Sequence, residues 1–140
     1  MKEITSIDLS LTDRMKTLNL HFHFHDDITE TLSFDCNKAF KDGKFKNTYI
    51  KNCTRSVLEH FHPGKAEIVF DYILTLRKLT AVCNHLIDDE RVDDFGHDIT
   101  EDLLTQASDF SLDVFGSQIK LAMPALDLYY KTIKCFKSFI

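Results

Sequence analysis

His21, His23 and His25 alternate with Phe22 and Phe24 and run directly into Asp26 and Asp27. Imidazole and carboxylate are ligand types that zinc accepts. On a strand the three imidazoles share one face, neighbours roughly 7 Å apart. Two of them could hold one ion, with a further ligand from elsewhere in the chain. On a helix His21 and His25 would also be adjacent, so the spacing suits either geometry. No H-E-x-x-H motif and no C-x-x-C pair accompanies them. The plainer account is a polar strand face rich in histidine, or a surface that responds to pH because imidazoles titrate near neutrality.

The residues from 88 to 102 read DDERVDDFGHDITED, with eight carboxylates, one Arg and one His. This stretch carries a formal charge of about −7 in a chain whose total is −5. Such a surface raises encounter rates with a cationic partner and selects complementary surfaces. Asp98, Asp102, Asp109 and Asp113 continue the acidic character at helical spacing. The bland account is a solvated loop followed by carboxylates that oppose a helix dipole. A helix-loop-helix calcium site does not fit. With Gly96 in the required glycine position, Arg91 and Phe95 fall where oxygen ligands are needed.

Nucleophilic chemistry finds little support. Cys83 and His85 are close in sequence, but residues two apart on a helix do not face each other. The cysteines at 36, 53, 83 and 135 lie 17, 30 and 52 positions apart and sit among apolar neighbours. They read as buried free thiols. The run His60-Phe61-His62-Pro63-Gly64 reads as a helix end, where imidazolium is favourable and Pro-Gly turns the chain. Lys38, Lys41, Lys44, Lys46, Lys51 and Arg55 face one acid, Asp42, between residues 36 and 55. Lys131, Lys134 and Lys137 add to them. A sequence pI near 5.7 argues against nucleic-acid binding as the main role. There is no phosphate-cradling glycine loop and no G-x-S-x-G signature.

The elements that must carry these groups follow from periodicity. Residues 6–11 and 17–25 alternate polar and apolar, as a strand with one buried face does. They predict a hairpin turning at Thr12-Asp13-Arg14, with Ile7, Leu9, Leu11, Leu18, Leu20, Phe22 and Phe24 inward. Residues 28–34 fit a third strand, with Ile28, Glu30, Leu32 and Phe34 on one face. They also fit a helix opened by a capping box at Asp27-Ile28-Thr29-Glu30, so strand and helix both stand for residues 28–40. Tyr49, Cys53, Val57 and Phe61 then mark a helical stripe. Residues 65–88 carry a wide apolar sector. Leu103, Leu104, Ala107, Phe110, Val114 and Phe115 mark another helix, stopping at Gly116. A last helix starts near Ser117, with Pro124 kinking it or opening a fresh one.

The expected fold is α+β: a small N-terminal antiparallel sheet of two or three strands, packed on a mainly helical body of four to five helices. With 140 residues the chain is expected to form a single domain, 1–140. No secretory signal and no long apolar run is present, so a cytoplasmic protein is expected. The expected function is that of a non-catalytic binding protein with no cofactor, not an enzyme. Asp88, Asp89, Glu90, Asp93, Asp94, Asp98, Glu101 and Asp102 would dock a basic protein partner and neutralise it. The most concrete case is an immunity-type inhibitor of a nuclease toxin, a partner that must be basic to hold a phosphate backbone. Neither direct nucleic-acid contact nor membrane contact is expected. The alternative is a zinc-dependent enzyme or sensor built on the His-x-His-x-His face. The partner's identity, the pathway and the oligomeric state do not follow from the residues.

Overall fold

The computed structural model describes residues 3–74, 76, 77 and 122–139. The chain divides into two compact units, one formed by Met1–Ala66 with Pro124–Ile140 and the other by Glu67–Met123. Of the second unit, the described residues are helical.

The first unit is built on a three-stranded antiparallel meander of β1 (Ile4–Thr12), β2 (Thr17–Phe24) and β3 (Thr29–Asp35), with β2 in the middle. Strict alternation makes β2 the centre. Leu18, Leu20 and Phe22 are fully buried, and Phe24 is nearly so, while Asn19, His21 and His23 occupy the opposite face. The flanking strands bury less. Ile7, Leu9 and Leu11 on β1 and Leu32 and Phe34 on β3 are half-buried. For residues 29–35 the strand prevails over the capping-box helix. Thr and Phe favour the pleat, and β2 supplies the ladder.

The β1–β2 turn differs from an ordinary one. Asp13, Arg14 and Met15 all have positive φ, at 54°, 57° and 68°. Lys16 N–H donates to Asp13 O at 3.2 Å, and the Thr17 hydroxyl to Asp13 Oδ2 at 3.1 Å. At its other end β1 extends two residues beyond the alternating run and contains a bulge. Ile4 pairs with Phe24 and Ser6 with His23, which leaves Thr5 as the extra residue. The bulge inverts the pleat parity. Ile4 therefore lands on the buried side with the odd-numbered Ile7, Leu9 and Leu11, and is 5% exposed.

A second hairpin, β4 (Phe40–Lys41) and β5 (Lys44–Phe45), was not legible as such. Its Asp42-Gly43 turn has positive φ at both positions, as a tight hairpin with right-handed twist requires. Phe45 is buried among rings. It stacks on Phe40 at 4.5 Å and on Tyr49 at 5.8 Å, and meets Phe136 edge-on at 5.5 Å.

The helices are α1 (Asn47–Phe61), α2 (66–74, with 76 and 77 also helical) and α3 (122–138). The α+β class holds, but the expected helix count does not match the described residues. Among the described residues there are three helices, not four to five. Pro124 contributed to the over-count. It can split a helix because it lacks an N–H and crowds the preceding turn. Here residues 122–123 and 125–138 are helical on either side of it. The expected helix ending at Gly116 lies outside the described residues.

Helix α1 buries Cys53, Thr54, Val57 and Leu58, close to the stripe read from its sequence. The buried Thr54 and Thr132 hydroxyls donate to carbonyls one turn back, Ile50 O at 2.7 Å and Leu128 O at 2.8 Å. Phe61 closes α1 against the sheet, edge-on to Phe22 at 4.8 Å. Beside it, His60 Nε2 hydrogen-bonds Glu30 of β3. The inner-facing acid of β3 thus finds a partner at the helix end.

Candidate functional site

The outer face of the sheet carries the histidines, and their neighbours form a regular lattice. On the β3 side each β2 side chain meets the residue directly opposite. Ser33 Oγ donates to Asn19 Oδ1 at 2.7 Å, His21 Nδ1 lies 2.9 Å from Thr31 Oγ1, and His23 Nδ1 lies 3.1 Å from Thr29 Oγ1. On the β1 side each meets the residue one diagonal step away. Asn19 Nδ2 donates to Thr12 Oγ1 at 3.0 Å, His21 Nε2 lies 2.9 Å from Ser10 Oγ, and His23 Nε2 lies 2.7 Å from Asp8 Oδ2. The constant offset is what strand twist produces when long side chains lean across a ladder. His25, at the strand's end, pairs with Glu3 at 3.2 Å.

This geometry answers what the three histidines are placed to do. Both ring nitrogens of His21 and of His23 already have protein partners. No group of three or more His, Cys, Asp or Glu among the described residues converges as a metal site would require. The Asp8–His23–Thr29 chain does reproduce the carboxylate–imidazole–hydroxyl order used to activate a nucleophile. It lies on an open pleat, with Asp8 69% and His23 36% exposed at the side chain. Water exclusion and an oxyanion-stabilising recess are what such chemistry needs in addition.

The thiols are placed for packing. Cys36, Cys53 and Cys135 are free and buried. Burial pushes the Cys53 and Cys135 thiols up to about 11, the reverse of an activated thiolate. Tyr49 hydrogen-bonds Cys36 Sγ at 3.4 Å, and burial drives its phenol well above the ordinary tyrosine range. Cys83 lies outside the described residues.

Sequence reading missed a cavity of about 400 Å³ in the first unit. Ile4, Pro124 and Leu128 give it an apolar wall, and Glu3, His62, Asp127 and Lys131 bring polar groups to it. The elements explain the convergence. The β1 bulge turns Ile4 inward, the end of α1 delivers His62, and one face of α3 presents residues at 124, 127, 128 and 131. Lys131 ties the parts together, donating to Asp127 Oδ2 at 2.9 Å and to Ile4 O at 3.0 Å. His62 Nε2 is buried without a hydrogen-bond partner. Burial, and secondarily the Lys65 ammonium, lower the His62 pKa, which disfavours the charged ring. The His62-Pro63-Gly64 run signalled only a helix end. Nothing local could announce that Ile4 and Lys131 would meet.

The acidic residues Asp88, Asp89, Glu90, Asp93, Asp94, Asp98, Glu101 and Asp102 lie outside the described residues. Among the described residues no helix is long and apolar enough to cross a membrane. The chain matches no protein-family model, no curated protein and no solved structure.

Proposed function

We propose that this is a non-catalytic cytoplasmic binding protein whose acidic segment, residues 88–102, docks a basic protein partner and neutralises it. The observation that carries the reading is charge concentration: about −7 within fifteen positions of a chain totalling −5. Clustered like charge slightly destabilises the segment that holds it, and a cationic partner offsets that cost. The most concrete partner is a nuclease toxin, whose phosphate-gripping surface is cationic and would be occluded by an acidic one. Supporting the reading, the histidines most able to suggest chemistry are engaged in cross-strand hydrogen bonds.

The test is native mass spectrometry of the protein isolated at low salt from its own host, beside an Asp93→Lys/Asp94→Lys variant. A basic polypeptide bound at equal stoichiometry, released by salt and lost from the folded variant, is the expected result. A partner retained equally by the variant moves the interface away from this segment. Wild-type protein recovered alone, without any bound polypeptide, counts against the docking role itself.

A further inference from the structure

We infer that the lysine-bearing end of the first unit is a docking face for the acidic segment, residues 88–102, of a second copy of this chain. Charge is segregated between the two units. The first holds thirteen Lys and Arg against ten Asp and Glu, and the second holds four against twelve. The pI near 5.7 is therefore an average over two oppositely charged parts. The positive excess is concentrated further, with four lysines against the single acid Asp42 between residues 38 and 46. This inference needs the charge of the acidic segment and not the basic partner proposed above, so either can fail alone.

The β4–β5 hairpin gathers these lysines. Lys41 and Lys44 are partners across the ladder, and both are exposed. Like charges directly opposite one another destabilise a strand pair, a cost that a bound polyanion removes. Lys46 N–H donates to Ala39 O at 2.8 Å, which closes the base of the hairpin beside Lys38. The buried Phe45 ring meets Phe136 edge-on at 5.5 Å and Phe139 at 5.4 Å, so the end of α3 lies against the hairpin. That end carries exposed Lys134 and Lys137, one turn apart. Among the described residues none of these six ammonium groups has an ion pair. The complementary charge in the same chain is the acidic segment, with eight carboxylates in fifteen positions. The two surfaces differ, so the contact runs head to tail and leaves each end able to add a further copy. The net charge of −5 opposes indiscriminate clustering, so association is confined to this pairing.

The experiment is sedimentation velocity of the full chain across salt, with the variants Lys41→Glu/Lys44→Glu and Asp93→Lys/Asp94→Lys run alone and mixed. In about 10 mM salt, where charges act over roughly 30 Å, the wild type is expected to sediment as species larger than the 16.2 kDa monomer. In about 1 M salt, where that reach falls to roughly 3 Å, it should return to the monomer. Each variant alone should self-associate at least about tenfold more weakly than the wild type at low salt. An equimolar mixture of the two should recover a dimer of one copy each that grows no further, because only one intact lysine face and one intact acidic segment meet. If Lys41→Glu/Lys44→Glu loses its native circular dichroism spectrum, Lys41→Gln/Lys44→Gln takes its place. A monomeric wild type at low salt, assembly that survives high salt, undiminished assembly in the lysine variant, or a mixture that stays monomeric overturns the assignment.

Discussion

His23 reaches past the residue opposite it and bonds Asp8 diagonally, with Nε2 2.7 Å from Oδ2, while Asp8 sits across the ladder from His21. The pair crosses the β1–β2 boundary on the exposed face, so its strength is limited by water and salt. A double-mutant cycle with Asp8→Ala and His23→Ala is expected to give a coupling of about 0.5 kcal/mol at low salt. That coupling should fade toward zero in 1 M NaCl, where the screening length falls to roughly 3 Å. A coupling that persists unchanged in high salt would show that contact, rather than charge, joins them.

His62 should give the protein a pH-dependent stability of definite sign. Its folded-state pKa is lowered, chiefly by burial and then by Lys65. The unfolded chain therefore binds a proton more readily, and stability rises with pH through the titration. The contribution is fully present above the unfolded imidazole value of about 6.5 and is lost as pH falls below it toward the folded value. Urea titrations from pH 5 to 8 should show this slope, and His62→Gln should flatten it. An identical slope in His62→Gln would assign the effect to other groups.

The β1–β2 turn should be easy to improve. Arg14 and Met15 hold left-handed backbone conformations at φ 57° and 68°. For an L-residue this costs roughly 1–2 kcal/mol, against a Gly unfolded-state penalty of up to about 1 kcal/mol. Met15→Gly is expected to stabilise the protein by about 0.5–1 kcal/mol, read as a higher urea midpoint at unchanged slope. Met15→Val should do the reverse, since β-branching makes positive φ harder still.

Cys53 and Cys135 should resist alkylation in the folded protein at pH 8. Their pKa values of about 11 leave little thiolate, and burial blocks access. Iodoacetamide labelling followed by peptide mass mapping should mark both only at the rate of opening, and quickly in denaturant. Rapid native labelling of either would show that its surroundings open far more often than the packing implies.

Much of the sheet was legible because two of its strands repeat with period two over long runs. Leu18, Leu20, Phe22 and Phe24 were placed inward, and they are the buried row. Ile28–Phe34 was divided between strand and helix because Asp27 and Glu30 also make a capping pattern. Only the ladder with β2, a non-local interaction, decides it. Ile4 escaped the alternating pattern because a bulge at Thr5 breaks the parity on which that pattern rests. The β4–β5 hairpin is two residues per strand, too short to show any period. The cavity was hidden for a different reason. Its groups come from positions 3–4, 62 and 124–131, each unremarkable alone, and only tertiary folding brings them together.

The central strand encodes its position twice. A slip of one residue along β2 would push Asn19, His21 and His23 into the core and present Leu18, Leu20, Phe22 and Phe24 to water. It would also dissolve six side-chain hydrogen bonds to the neighbouring strands. The two faces act like the paired halves of an error-detecting code, since neither can be misread without the other failing. Insertions or deletions within Thr17–Phe24 should therefore be tolerated in steps of two, if at all, and never singly.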